Sequence, residues 1–198
     1  MSVRARPVGP SAVLVDVAGP GEALALAAWV RDRSLPVVEV VPAAATVLLD
    51  GVDPAAVLPA LAAWEPTAEA PTGGLVEVSV TYDGEDLDAV ADAWGTTVAE
   101  VVERHAALTF VSAFCGFAPG FAYLAGLPDE LSVPRLDSPR PRVPAGSVAL
   151  AGTWCGVYPT ASPGGWRIIG RTDVGLWDTR REPPALLPPG TRVRFVPA

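Results

Sequence analysis

The sequence predicts an α+β protein: a small N-terminal unit of βαββαβ type, followed by a longer part built from curved β-structure. Three observations predict it. Apolar residues in the first 64 positions switch between strand-like and helical spacing. A polar stretch rich in Pro and Gly, Glu65–Gly74 (EPTAEAPTGG), interrupts the pattern. From Leu108 onward, short β-type runs alternate with loops dense in Gly and Pro, which suits a closed or strongly curved sheet. The expected units are residues 1–74, ending in the linker, and residues 75–198.

Element by element, Ser11–Val17 reads as a strand rich in Val and Leu. Gly21–Arg33 reads as a helix stopped by Pro36. Val37–Val41 and Thr46–Leu49 are short aliphatic strands. Asp53 offers an N-cap with Pro54 at the first helical position, and that helix runs to about Trp64. The next strand would complete the βαββαβ order. Leu75–Tyr82 alternates Val76, Val78 and Val80 with Glu77, Ser79 and Thr81, the pattern of a half-buried strand. Helices are expected near Asp86–Trp94, closed by Gly95, and from the capping box Thr97-x-x-Glu100 to His105. The later β-type runs are Thr109–Cys115, Ser147–Ala151, Arg167–Ile169, Val174–Trp177 and Arg192–Val196. Pro183–Pro189 reads as a surface connection.

Composition excludes several function classes. Half of the 198 residues are apolar, and the formal net charge is -8, so a nucleic-acid or anionic-membrane surface is not expected. No apolar run is long enough to cross a bilayer, and the N-terminus lacks the apolar core of a secretory signal. The expected location is cytoplasmic, with Cys115 and Cys155 reduced. All 14 basic residues are arginine. Without lysine, this chain has no Schiff-base nucleophile, no phosphate-loop lysine and no attachment point for biotin. With one histidine and two cysteines, no metal site is expected.

Three segments of the second half carry a recognisable pattern. They are Gly116-Phe117-Ala118-Pro119-Gly120-Phe121-Ala122-Tyr123 and its continuation to Leu127; Pro134-Arg135, Pro139-Arg140 and Val143–Ala149; and Gly156-Val157-Tyr158-Pro159 with Ser162–Trp166 and Ile169–Thr172. Together with Tyr82-Asp83-Gly84-x-Asp86-Leu87 upstream, their order and spacing resemble the family of B-type subunits of 5-oxoprolinase. This family is also known as the first subunit of allophanate hydrolase and includes KipI-type inhibitors of sensor histidine kinases. The resemblance covers about Val76–Asp178. It implies a C-terminal cyclophilin-like β-barrel, related to carboxyltransferase domains, behind the α/β unit. It also implies two partners, the A-type and C-type subunits of 5-oxoprolinase, and the ATP-dependent opening of 5-oxoproline to glutamate, with Mg2+ expected in the assembled complex. An inhibitor of a kinase, or half of a biotin-dependent carboxyltransferase acting on urea-type amides, are the alternatives it leaves. The family usually places Gln and Thr where Trp154 and Cys155 stand here, and often Pro where Asp173 stands.

Several matched residues have suitable chemistry. Ser162-Pro163-Gly164-Gly165 can form an anion-binding nest of amides or a plain tight turn. Arg135, Arg140 and Arg142 cluster between prolines. Arg140 and Arg171, on matched positions, are the arginines expected to meet a carboxylate or phosphate. His105, near a helix C-terminus, can transfer protons near neutral pH or be packed as a cap. His105, Arg140 and Arg171 are therefore the expected catalytic residues. Phe117, Pro119, Gly120, Tyr123, Ser147, Tyr158, Ser162, Gly164, Gly165 and Trp166 are the expected substrate-binding residues. Cys115 and Cys155 read as small buried residues. The linker generates a first test: limited proteolysis should cut near residues 66–74 first and leave a stable C-terminal fragment. First cleavage inside either unit would count against the division.

Overall fold

The computed structural model describes residues 4–67 and 73–198. Met1–Val3 and residues 68–72 of the expected linker lie outside the described residues. The chain divides into two compact units, Met1–Thr72 and Gly73–Ala198.

The first unit contains β1 (Arg4–Val8), β2 (Ala12–Asp16), α1 (Pro20–Asp32), β3 (Glu39–Pro42), β4 (Thr46–Asp50) and α2 (Pro54–Leu61). Its sheet has the order β1-β2-β4-β3 and is antiparallel throughout. Val13, Val15, Val47 and Leu49 form one buried cluster with Ala23, Leu26 and Val30 of α1 and Val57 and Leu61 of α2. Proline starts both helices, where a missing N–H costs nothing. The Asp53 carboxylate caps α2 by accepting from Ala55 N at 3.0 Å.

The strand expected to complete this unit comes from elsewhere. Residues 75–80 join the second unit, and Arg4–Val8 supplies the fourth strand of the first, so the order is ββαββα. Nothing in Arg4–Val8 alternates, because the strand lies at an edge and is mostly exposed. Both edge strands carry a proline, Pro7 and Pro42, where no ladder partner misses the N–H.

The second unit contains β5 (Leu75–Val80), α3 (Leu87–Ala93), α4 (Val98–Ala107), β6 (Phe110–Cys115), β7 (Ala122–Ala125), β8 (Arg140–Val143), β9 (Ser147–Ala151), β10 (Trp154–Val157), β11 (Ser162–Gly164), β12 (Arg167–Arg171) and β13 (Arg192–Pro197). Seven strands form one sheet in the order β12-β9-β10-β7-β6-β13-β5. Neighbours are antiparallel except β5 and β13, which run parallel from Leu75–Arg192 to Val80–Pro197. β8 and β11 form a separate two-stranded ribbon. The expected run Val174–Trp177 makes no strand. Only Trp177 bridges Ala185, because the facing segment is rich in prolines that cannot donate to a ladder.

The two edges of the seven-stranded sheet meet, making it barrel-like. Thr81 and Arg171 exchange both backbone hydrogen bonds at 2.9 Å. The seam continues through Gly84 N to Ile169 O at 3.2 Å and Asp86 N to Ile168 O at 3.0 Å. The buried Asp86 carboxylate then accepts from Ile168 N at 2.7 Å and from Arg140 Nη2 at 2.9 Å. Gly170 is required there, since a Cβ would lie 2.6 Å from Thr81 O.

Inside, Val78, Val80, Phe110, Leu124, Val148, Leu150, Cys155, Ile169, Val193 and Phe195 form one core with Leu87, Val90 and Val101 of the helices. β9 is buried at all five positions. Val148 and Leu150 face that core, whereas Ala149 and Ala151 belong to a second cluster with Phe121, Tyr158, Trp166 and Ile168. The barrel interior is therefore filled, and one stretch of its outer wall is covered by a second apolar layer.

Asp86→Ala should cost about 3 kcal/mol of stability, since it leaves a buried N–H and a half-buried guanidinium without their acceptor. Asp86→Asn keeps an acceptor for Ile168 N and should lose less than half of that. Urea denaturation of both variants checks this; equal losses would show that the Ile168 bond contributes little.

Candidate functional site

The second apolar layer opens into a cleft of about 650 Å3. Its lining is Phe117, Phe121, Tyr123, Pro134, Arg135, Ala151, Gly152, Trp154, Tyr158, Pro163, Gly164 and Trp166. The volume is typical of a small-molecule site. Strand alternation builds its floor. On β10, Cys155 and Val157 point into the barrel core, while Trp154 lines the cleft. Gly156 lets two rings approach the wall closely: a Cβ there would stand 2.9 Å from Phe121 and 3.1 Å from Trp166. On β7, Leu124 is in the core and Tyr123 lines the cleft, stacked on Phe114 at 4.3 Å between centroids.

The rings form a continuous edge-to-face network. Phe121 lies 5.5 Å from both Tyr158 and Trp166, and Trp154 lies 6.1 Å from Tyr123. Phe117 extends the network at 5.3 Å from Phe121, yet is 60% exposed. Its φ of 69° is a left-handed conformation that costs energy for an aromatic residue. On the β11 side, Gly164 leaves room for the Tyr158 hydroxyl, which a Cβ would strike. Burial raises the pKa of that hydroxyl, so Tyr158 stays protonated.

Of the expected substrate-binding residues, the fold gathers Phe117, Tyr123, Tyr158, Gly164 and Trp166 around this cleft. Pro119 lines a second cleft of about 570 Å3 with Asp173 and Trp177. Gly120 supports the same loop: at φ +87° it lies so close to Trp177 that a Cβ would approach it to 3.0 Å. Ser147 is buried, donates to Pro144 O at 2.8 Å and lines only a small pocket near Arg171. Ser162 Oγ is buried without a hydrogen-bond partner. Gly165 lies beneath Arg135, whose Nη2 would be 3.7 Å from a Cβ placed there.

The three expected catalytic residues lie away from this cleft and make structural contacts. His105 is fully buried. Its Nδ1 lies 2.7 Å from the Tyr82 hydroxyl, its Nε2 3.5 Å from Cys155 Sγ, and its ring stacks on Phe195 at 4.7 Å. Desolvation pulls its pKa down to about 3, and burial pushes the Tyr82 hydroxyl and Cys155 thiol well up. A neutral imidazole in the core has no route to a substrate. Arg140 is committed to Glu85 at 2.8 Å and Asp86 at 2.9 Å. Arg171 is exposed and paired with Asp83 at 2.8 Å, beside the seam it helps to close. None of the three lines the aromatic cleft.

The lining also includes Phe121, Pro134, Arg135, Ala151, Gly152, Trp154 and Pro163, which were not among the expected site residues; of these, Arg135 and Trp154 offer the most to a ligand. Arg135 stands in the same Pro/Arg cluster as Arg140, and nothing in the sequence distinguishes them. Trp154 had a readable signal, the alternation Trp154-out and Cys155-in along one strand. Among the described residues, no group of three or more His, Cys, Asp or Glu is placed to hold a metal ion, and no helix is long and apolar enough to cross a membrane.

The family model for the carboxyltransferase domain, subdomain C and D, matches residues 3–187. The chain belongs to this family. It is similar to the B-type subunit of 5-oxoprolinase from Escherichia coli O157:H7, 47% identical over 138 residues, covering 68% of this chain and 63% of that protein. It is also similar to the B-type subunit of 5-oxoprolinase from Bacillus subtilis (strain 168), 44% identical over 125 residues, covering 62% and 52% respectively. The matches thus span about half to two thirds of these relatives. Among solved structures, TTHA0988 superposes with a TM-score of 0.79 at 36% identity, over 98% of this chain and 40% of that one. The PH0987 protein of Pyrococcus horikoshii matches at 34% identity and a TM-score of 0.59, over 98% and 97%.

The buried histidine makes stability depend on pH. Its folded pKa lies below the unfolded value near 6.5, so the unfolded state takes up more protons between the two. The contribution is fully present above pH 6.5 and is lost as pH falls toward about 3. Between pH 4 and 6, unfolding free energy should fall more steeply in the parent chain than in His105→Gln, by up to about 1.4 kcal/mol per pH unit. Urea denaturation across that range measures the difference. Equal slopes, or imidazole NMR shifts titrating near pH 6.5, would contradict the buried neutral state.

Proposed function

We propose that this chain is the B-type component of an ATP-dependent 5-oxoprolinase, acting in the cytoplasm with the A-type and C-type subunits. One observation carries the reading beyond family membership. The cleft has the volume of a ligand site, yet among the described residues no Asp, Glu, His, Cys or Ser lines it, and the one histidine is sealed in the core. Such a surface can bind and orient a small molecule; the proton-bearing groups of its lining are the phenols of Tyr123 and Tyr158, the latter kept protonated by burial, and no carboxylate, imidazole or thiol of the lining can take up a proton near neutral pH. That division of labour suits one component of a composite enzyme. It also agrees with the relatives, which are named as B-type subunits of 5-oxoprolinase.

The reaction has a defined chemical requirement. The lactam of 5-oxoproline is a stable amide. Its carbonyl oxygen attacks the γ-phosphorus of ATP, and ADP leaves. Water then adds to the activated carbon, the C–N bond breaks, and glutamate and phosphate are released. Mg2+ enters with the nucleotide. This chain's contribution is binding and exclusion of water by an aromatic wall, and the proton-transfer groups come from the partner subunits.

Reconstitution tests the reading. The chain mixed with its A-type and C-type partners should form glutamate and ADP in equal amounts from 5-oxoproline and ATP, and each omission should abolish turnover. Full turnover by the isolated chain would refute the need for partners. No turnover in the complete mixture, with all components folded, would refute the assignment.

A further inference from the structure

We propose that the aromatic cleft binds a flat ring carrying an anionic group, and that Arg135 anchors the anion. The backbone around Arg135 is fastened on both sides. Val133 and Gly152 exchange backbone bonds at 3.2 and 2.7 Å, Pro134 O accepts from Arg167 Nε at 3.2 Å, and Leu136 N donates to Gly165 O at 2.8 Å. The side chain between these anchors is exposed and makes no hydrogen bond or ion pair among the described residues. Arg140, Arg167 and Arg171, by contrast, are paired with Asp86, Glu85 or Asp83. A guanidinium on a fixed backbone with its donors free is arranged for a carboxylate or phosphate from outside. Among the described residues, no acidic side chain lines the cleft to compete for it.

The opposing wall sets the shape of the ligand. Trp154 and Tyr123 are half-buried and line the cleft, and Phe117 projects beside Phe121 and Tyr158 in a strained conformation. Aromatic walls favour planar groups that can stack or lie edge-on. A flat ring against these faces places its anionic substituent toward Arg135. Two molecules of the proposed reaction share this chemistry: the lactam carboxylate, and the base and phosphates of the nucleotide. The inference rests on that reading only for the choice of these two probes.

Isothermal titration of the full chain alone, without partners, tests it. If the lactam is the ligand, 5-oxoproline binds and 2-pyrrolidinone, which lacks the carboxylate, does not. If the nucleotide is the ligand, ATP binds and adenosine does not. In either case Arg135→Ala should weaken binding roughly ten- to a hundredfold, with an unchanged melting temperature, and Trp154→Ala should weaken it several-fold. In the reconstituted complex, Arg135→Ala should raise KM for the same ligand with little change in kcat. Binding unaffected by Arg135→Ala overturns the proposal. So does the absence of binding to the chain combined with an unchanged KM in the complex. A complex that fails to turn over while the chain still binds through Arg135 refutes the enzymatic reading and leaves this site standing.

Discussion

The pair of backbone hydrogen bonds between Thr81 and Arg171 is the contact on which the second unit depends. An open seven-stranded sheet would leave two rows of unpaired N–H and C=O groups at its edges. Here the last residues of one edge meet the last residue of the other, and the ladder is then extended by Gly84 and Asp86. The closure is short in backbone terms, so a side chain completes it. One oxygen of Asp86 takes the N–H of Ile168, and the other holds Arg140. Glycine at positions 84 and 170 is part of the same device, because any Cβ would collide with the facing backbone.

The seam explains where the charge goes. Charged residues are few in this chain, and the barrel uses several of them as braces: Asp83 with Arg171, Glu85 and Asp86 with Arg140, and Arg167 against Asp86. An arginine whose donors are already engaged offers little to a ligand. The same logic removes His105, whose ring nitrogens meet Tyr82 and Cys155 inside the core. Residues with reactive chemistry are thus consumed by the frame, and the guanidinium left for solvent and ligand at the cleft is Arg135.

β9 and β10 connect the frame to the cleft. A strand buried on both faces belongs to two apolar layers at once. Its inner residues fill the barrel, which leaves no room for a ligand there. Its small outer residues, Ala149 and Ala151, let Phe121, Tyr158 and Trp166 lie close against the wall. Those rings in turn define the cleft. The site is therefore an outer-wall feature, held by the same strands that make the core, and a stiff floor of this kind suits the positioning of a partner's reactive groups.

The sequence by itself determined the α+β class, the capped helices, and the strands whose alternation is clear, Leu75–Val80 above all. It also located the Gly/Pro-rich segments that surround the cleft, including Phe117, Tyr123, Tyr158, Gly164 and Trp166. These features are local: they follow from period, caps and turn residues within a few positions. It did not reveal the edge strand Arg4–Val8, because an exposed edge imposes no alternation. Nor did it reveal the fate of the charges. Arg135 and Arg140 stand five positions apart in the same Pro/Arg segment, and their local sequences look alike. Only closure of the barrel brings Asp86 to Arg140 across 54 positions of chain, while Arg135 has no ion-pair partner among the described residues. The tertiary structure decided which charges are neutralised, since an ion pair depends on distance in space and not on spacing along the chain.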